Sequence, residues 1–253
     1  MTNRPNPQNS GLSRRKLLFR TAIYLVGLFL VAMGVAFSIK SSLGISPASS
    51  LPYVFSLAAS WPLRLTVTIV YAFLVLLQWL ILGKRFHWRN IFQVLFAVIF
   101  GYFCDLSVLI LGNLSCSSYF GRLALLSVSI VLISLGVTLY VGAKLLPLPV
   151  EGLALALSSV SKKVKFPVFK IIIDASLVLS AAALSLIAEF DEKAKLLKQF
   201  PERNPRLSDP LIPTGKYRKL LIAKRYLLIY LVKGDKVYVD AVVDCRQDYG
   251  WLL

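Results

Sequence analysis

Five apolar runs decide what this chain can become: Thr21–Ile39, Leu63–Leu82, Ile91–Leu111, Leu123–Val141 and Val168–Ile187. Each is near the roughly 20 residues that a helix needs to cross about 30 Å of hydrocarbon. In lipid every backbone N–H and C=O must find a partner within the protein. A lone run can do that only as a helix, and these runs lack the alternation of barrel strands. Gly27, Gly34, Ser127, Ser129, Ser134 and Gly136 recur inside them. Small residues let helix backbones approach, so the expected fold is an all-α transmembrane bundle of about five helices.

Charge agrees with that reading and divides the chain. Residues 1–188 carry 16 Lys/Arg and three acids, Asp105, Glu151 and Asp174. Residues 189–253 carry 13 Lys/Arg and nine acids, a water-soluble mixture. The boundary falls inside Lys170–Phe200, where an apolar run gives way near Ile187–Phe190 to a charged amphipathic pattern. Two domains are expected, 1–188 and 189–253. Basic residues cluster in the N-terminal arm (Arg4, Arg14, Arg15, Lys16, Arg20) and in alternate connectors (Lys84, Arg85, Arg89; Lys144, Lys162, Lys163, Lys165). That alternation predicts a multi-pass protein of a bacterial-type inner membrane with its N-terminus in the cytoplasm. Ser13-Arg14-Arg15-Lys16 faintly resembles a twin-arginine export signal. No polar cleavage region follows, so it reads as a charge anchor after a disordered arm, residues 1–13.

An internal repeat fits the layout. At an offset of 102 residues, Gly34-Val35 matches Gly136-Val137, and Leu43, Pro47, Leu51 and Ser56 match Leu145, Pro149, Leu153 and Ser158. Chance matching among apolar residues is the alternative. If the repeat holds, it is inverted, with three helices in the first unit and two in the second, as though a sixth helix were missing. The tail predicts a short helix over Asp191–Phe200 and then a proline-rich stretch with Pro201, Pro205, Pro210 and Pro213. A three-stranded antiparallel meander follows over Tyr217–Ala223, Tyr226–Val232 and Lys236–Val243, turning at Lys233-Gly234-Asp235. This is a small, truncated α+β fold.

Two resemblances follow from particular residues. Leu43-Gly44-Ile45-Ser46-Pro47, Ser49-Ser50-Leu51-Pro52-Tyr53, Gly101-Tyr102-Phe103-Cys104-Asp105, Pro147-Leu148-Pro149-Val150-Glu151-Gly152 and Lys170-Ile171-Ile172-Ile173-Asp174 resemble the YczE/YitT-like multi-pass membrane proteins over residues 14–188. Phe200-Pro201-Glu202-Arg203, Tyr217-Arg218-Lys219-Leu220, Val237-Tyr238-Val239-Asp240 and Asp244–Leu252 resemble the C-terminal part of RelE/ParE-type toxins over residues 190–253. The two together imply a fusion in which each part is incomplete.

Candidate sites divide the same way. Asp105, Asp174 and Glu151 are the membrane half's acids. A carboxylate at membrane depth is costly, so it is expected to face the bundle interior and contact substrate or ion; hydrogen-bonded packing, or for Glu151 a watery connector, is the alternative. Ser41–Ser50, with Gly44 and Pro47, is expected to form a half-buried re-entrant turn lining a cavity. In the tail, the toxin resemblance makes Arg246 and Tyr249 the catalytic candidates, against a plain surface arginine and a core tyrosine. Cys104, Cys116, Cys245 and the single His87 have no ligand spacing, so no metal, cofactor or disulfide framework is expected. The leading function is a membrane protein, in particular a transporter, with the lipid bilayer as its surroundings. The alternative is a membrane-tethered toxin-derived domain that binds an antitoxin or RNA.

Overall fold

The computed structural model describes residues 7–161, 163–207, 216–223, 225–234 and 236–245. Arg246, Tyr249, Lys162, Asp235, Pro210 and Pro213 lie outside the described residues. Seven α-helices come first: α1 (Pro7–Ser41), α2 (Pro47–Ala59), α3 (Leu63–Leu82), α4 (Phe92–Leu111), α5 (Tyr119–Gly142), α6 (Pro149–Val160) and α7 (Phe166–Gln199). Three strands follow: β1 (Arg218–Ile222), β2 (Tyr226–Lys233) and β3 (Lys236–Asp244). The chain forms two compact units, Met1–Ala181 and Ala182–Leu253.

Helices α1, α3, α4, α5 and α7 are long and apolar enough to cross a membrane, as the five runs predict. Two bounds differ from expectation. Helix α1 starts at Pro7 within the arm expected to be disordered, since proline is tolerated in a first helical turn. Helix α7 runs unbroken from Phe166 to Gln199, so the helix expected over Asp191–Phe200 is present as the C-terminal end of α7 and not as a separate element. Ile187–Phe190 contains neither proline nor glycine, and the change from apolar to charged residues does not interrupt backbone hydrogen bonding.

Helices α2 and α6 are too short to span. At about 1.5 Å per residue, the 13 residues of α2 and the 12 of α6 reach about 20 Å. Each opens with proline at its first position, Pro47 and Pro149, which are the residues paired by the 102-residue offset. The repeat therefore has a structural form of long helix, short helix, long helix: α1-α2-α3 and α5-α6-α7. Among the described residues, α4 has no counterpart in the second half.

The most extensive helix contact joins α1 to α5, and the two run antiparallel. Arg20 near the start of α1 donates to the carbonyls of Ala143 (2.8 Å) and Lys144 (3.0 Å) just past the end of α5. Further along, a Cβ placed on Gly27 would lie 2.8 Å from the Gly136 carbonyl oxygen, and one on Gly34 would lie 2.9 Å from that of Ser129. The repeat relates Gly27 to Ser129 and Gly34 to Gly136. These two contacts thus exchange under the operation that exchanges the halves, as an approximate two-fold axis between α1 and α5 requires. At the other end, Lys40 of α1 donates to the Gly112 carbonyl past α4.

The second unit is a β1-β2-β3 antiparallel meander, as expected from the sequence, with a register irregularity at Ile229/Tyr230. One face buries Ile222, Leu228 and Tyr230 against Leu197 of α7, and the other buries Ile229 and Val243 against Leu207. The proline-rich stretch contributes pairing of its own: Leu207 donates to the Tyr217 carbonyl, and Lys219 to that of Pro205. The fully buried Tyr230 ring ends in a hydroxyl that donates to the Pro201 carbonyl (2.8 Å) and faces the Asn204 amide (3.1 Å).

Candidate functional site

The first unit buries a set of polar side chains within an apolar core and leaves large apolar side chains exposed. Its buried side chains include Ser38, Thr66, Gln78, Gln93, Ser107 and Ser129, whereas Ile69, Phe73, Leu80, Leu109, Ile130 and Ile171 are exposed. In water that arrangement would leave broad apolar faces uncovered; in lipid those faces meet their own kind.

The densest internal polar group surrounds the start of α6. Gln78 of α3 donates from Nε2 to Oε1 of Gln93 on α4 (3.1 Å) and to the Pro149 carbonyl (3.1 Å). A Cβ at Gly152 would lie 2.8 Å from Oε1 of each glutamine, so glycine is what lets the α6 backbone enter this gap. Glu151 precedes it, in the first turn of α6, where the positive end of a helix dipole favours an anion. Its Oε2 is enclosed and has no hydrogen-bond partner among the described residues, and neither has the equally enclosed hydroxyl of Tyr24 on α1. The Tyr140 hydroxyl, from α5, lies within hydrogen-bonding reach of the Glu151 carboxyl. Tyr71 of α3 and Lys170 and Asp174 of α7 lie within electrostatic range. Burial raises the Glu151 carboxyl above the ordinary carboxylate range; Lys170 opposes that most. A cavity of about 200 Å³ opens beside the cluster, lined by Tyr140, Lys144, Pro147 and Leu155.

The sequence-derived candidates fall in different places. Asp174 belongs to the cluster, held by Lys170 one helical turn earlier at 2.6 and 2.7 Å. Asp105 does not; it accepts from the backbone N–H (3.1 Å) and guanidinium (3.0 Å) of Arg64, where α4 crosses the start of α3. Both carboxylates keep a quarter of their surface exposed, each beside a cation. Gly44 and Pro47 are exposed, and nothing comes within 4 Å of a Cβ at Gly44. The buried part of the Ser41–Ser50 turn is Ser41, Ser49 and Ser50. Sequence reasoning missed Gln78, Gln93 and the tyrosines. The two glutamines carried a signal, being amides inside runs where an unpartnered polar group is costly.

Five long apolar helices, two short ones opened by proline, and exposed apolar faces around a core that holds polar side chains define a multi-pass α-helical membrane protein. The chain belongs to the family described as a family of unknown function, DUF6198, which matches residues 18–192. That span takes in Ile187–Phe190 and every residue of the cluster. No curated protein and no solved structure matches the chain.

Proposed function

We propose that this protein carries a small solute across a membrane, with the Glu151 cluster on the route. The observation that carries the reading is a carboxyl oxygen enclosed without a partner at the start of a helix too short to span. Intramembrane ionisable groups mark substrate or ion pathways, and short helices at related positions of two inverted halves are where such pathways bind their cargo. The 1–188 and 189–253 division is kept as the functional one: carrier first, appended tail second. The tethered-toxin alternative, with antitoxin or RNA as partner, rests on residue resemblance alone.

The transport reading is tested by reconstituting the full chain in liposomes. Capacitive currents on a supported membrane are then recorded as pools of amino acids, organic acids, sugars and inorganic ions are applied. At least one pool is expected to give a current that falls at least tenfold in Glu151→Gln while Asp105→Asn retains it. Silence from every pool would remove the reading.

Orientation is part of the same proposal. The start of α1, the 83–91 connector and the 143–148 connector lie at one end of the bundle, because Arg20 reaches Lys144 while Gln78 and Gln93 bracket the start of α6. That end holds Arg14, Arg15, Lys16, Lys84, Arg85 and Arg89, and this excess of basic residues supports a cytoplasmic side in a bacterial-type cell. Single cysteines at residues 84–90 are expected to resist an impermeant thiol reagent applied to intact cells, and rapid labelling there would reverse the topology.

A further inference from the structure

We infer that Glu151 is a proton-binding site, loaded at neutral pH, and that the charge pair Lys170–Asp174 is the group its proton answers to. The enclosed Oε2 needs a hydrogen. No described donor supplies one to it, and the Tyr24 hydroxyl beside the cluster is equally without a partner. A charged carboxylate would leave that oxygen with neither water nor a hydrogen bond, whereas a carboxylic acid brings its own donor to it.

Charge counting points the same way. Tyr24 faces the site from α1, Tyr71 from α3, Tyr140 from α5, and Lys170 and Asp174 from α7; α4 contributes the neutral Gln93 beside Gly152 and the buried Cys104 within range of Tyr71. The tyrosines are neutral, and Lys170 is already held by both oxygens of Asp174. With Glu151 ionised the group carries one negative charge in excess, and one proton cancels it. Among the described residues no cluster of three or more metal-ligating side chains occurs.

The first half carries no such charge at the related positions. At the positions related to Glu151, Lys170 and Asp174 stand Ser49, Thr68 and Ala72. The same short helix after the same proline is built in the first half without a titratable group at these positions. Within the transport reading the Glu151 proton is the coupling ion, and that coupling role rests on the reading; the proton site does not.

The test is infrared spectroscopy of the full chain in lipid. A carboxylic C=O stretch is expected at neutral pH. It should vanish in Glu151→Gln, persist in Asp105→Asn, and weaken only on raising the pH. Wild-type protein grown with carbon-13 glutamate serves if the variant does not fold: the band then moves to lower wavenumber. Absence of the band at neutral pH, its survival in folded Glu151→Gln, or a band unmoved by labelled glutamate would each overturn the inference. The measurement needs no solute. A protein that transports nothing can still show the band, and one that transports without the band loses only this inference.

Discussion

Gly136→Val is expected to prevent the membrane unit from reaching its folded form, while Gly142→Ala on the same helix leaves it intact. A Cβ at Gly136 would lie 2.6 Å from the Gly27 carbonyl oxygen and 2.7 Å from the backbone nitrogen of Val31. Those are main-chain atoms of α1 and cannot swing aside as a side-chain tip can. The helices would have to separate along their most extensive contact. Overpacking costs about 1–3 kcal/mol where side chains can yield, and the cost here lies at or above the top of that range. A Cβ at Gly142 meets nothing within 4 Å, so alanine there adds helix propensity worth up to about 1 kcal/mol. Thermal unfolding in detergent separates the two, and equal stability of both variants would show that α1 and α5 do not pack this closely.

Lys170→Met is expected to cripple the protein, and adding Asp174→Asn is expected to rescue its folding. Alone, the lysine change leaves Asp174 without its 2.6 Å partner beside an already enclosed Glu151. An uncompensated carboxylate at membrane depth costs about 2.5–3.5 kcal/mol on insertion scales, reduced here because a quarter of the Asp174 side chain stays exposed. Removing the second charge returns most of that energy. The readout is the yield of monodisperse protein after extraction. A double variant no better than Lys170→Met would mean that the two residues do not act as a pair.

The spanning helices were legible because hydrophobic length is a local property, and 20 apolar residues in lipid have one backbone solution. The meander was legible for a similar reason, since alternation in Tyr226–Val232 and Lys236–Val243 is written within each strand. The unbroken α7 was not, because a change of composition at Ile187–Phe190 looks like a boundary although nothing in it stops a helix. The short helices were half legible: Pro47 and Pro149 stood out through the repeat, but no periodicity over so few residues separates a helix from an apolar loop. The site was the least legible part. Glu151 reads equally as a connector acid, and its surroundings come from Tyr24, Tyr71, Tyr140 and Lys170 on four other helices. Only the i, i+4 spacing of Lys170 and Asp174 lay open in the sequence, as a pair on one helical face.

The contacts of Gly27 with Gly136 and of Gly34 with Ser129 restrict how this chain can change over generations. Two ordinary packed helices can trade bulk between many positions. This contact cannot, because at both exchanging pairs the main chain of one helix lies directly against a small residue of the other. Bulk gained at Gly27 has to be given up across the axis, at a position already occupied by the smallest residue. The two halves are thus free to diverge at Ser49 and Glu151, where one has acquired charge, and are tied together at the four small positions where they touch.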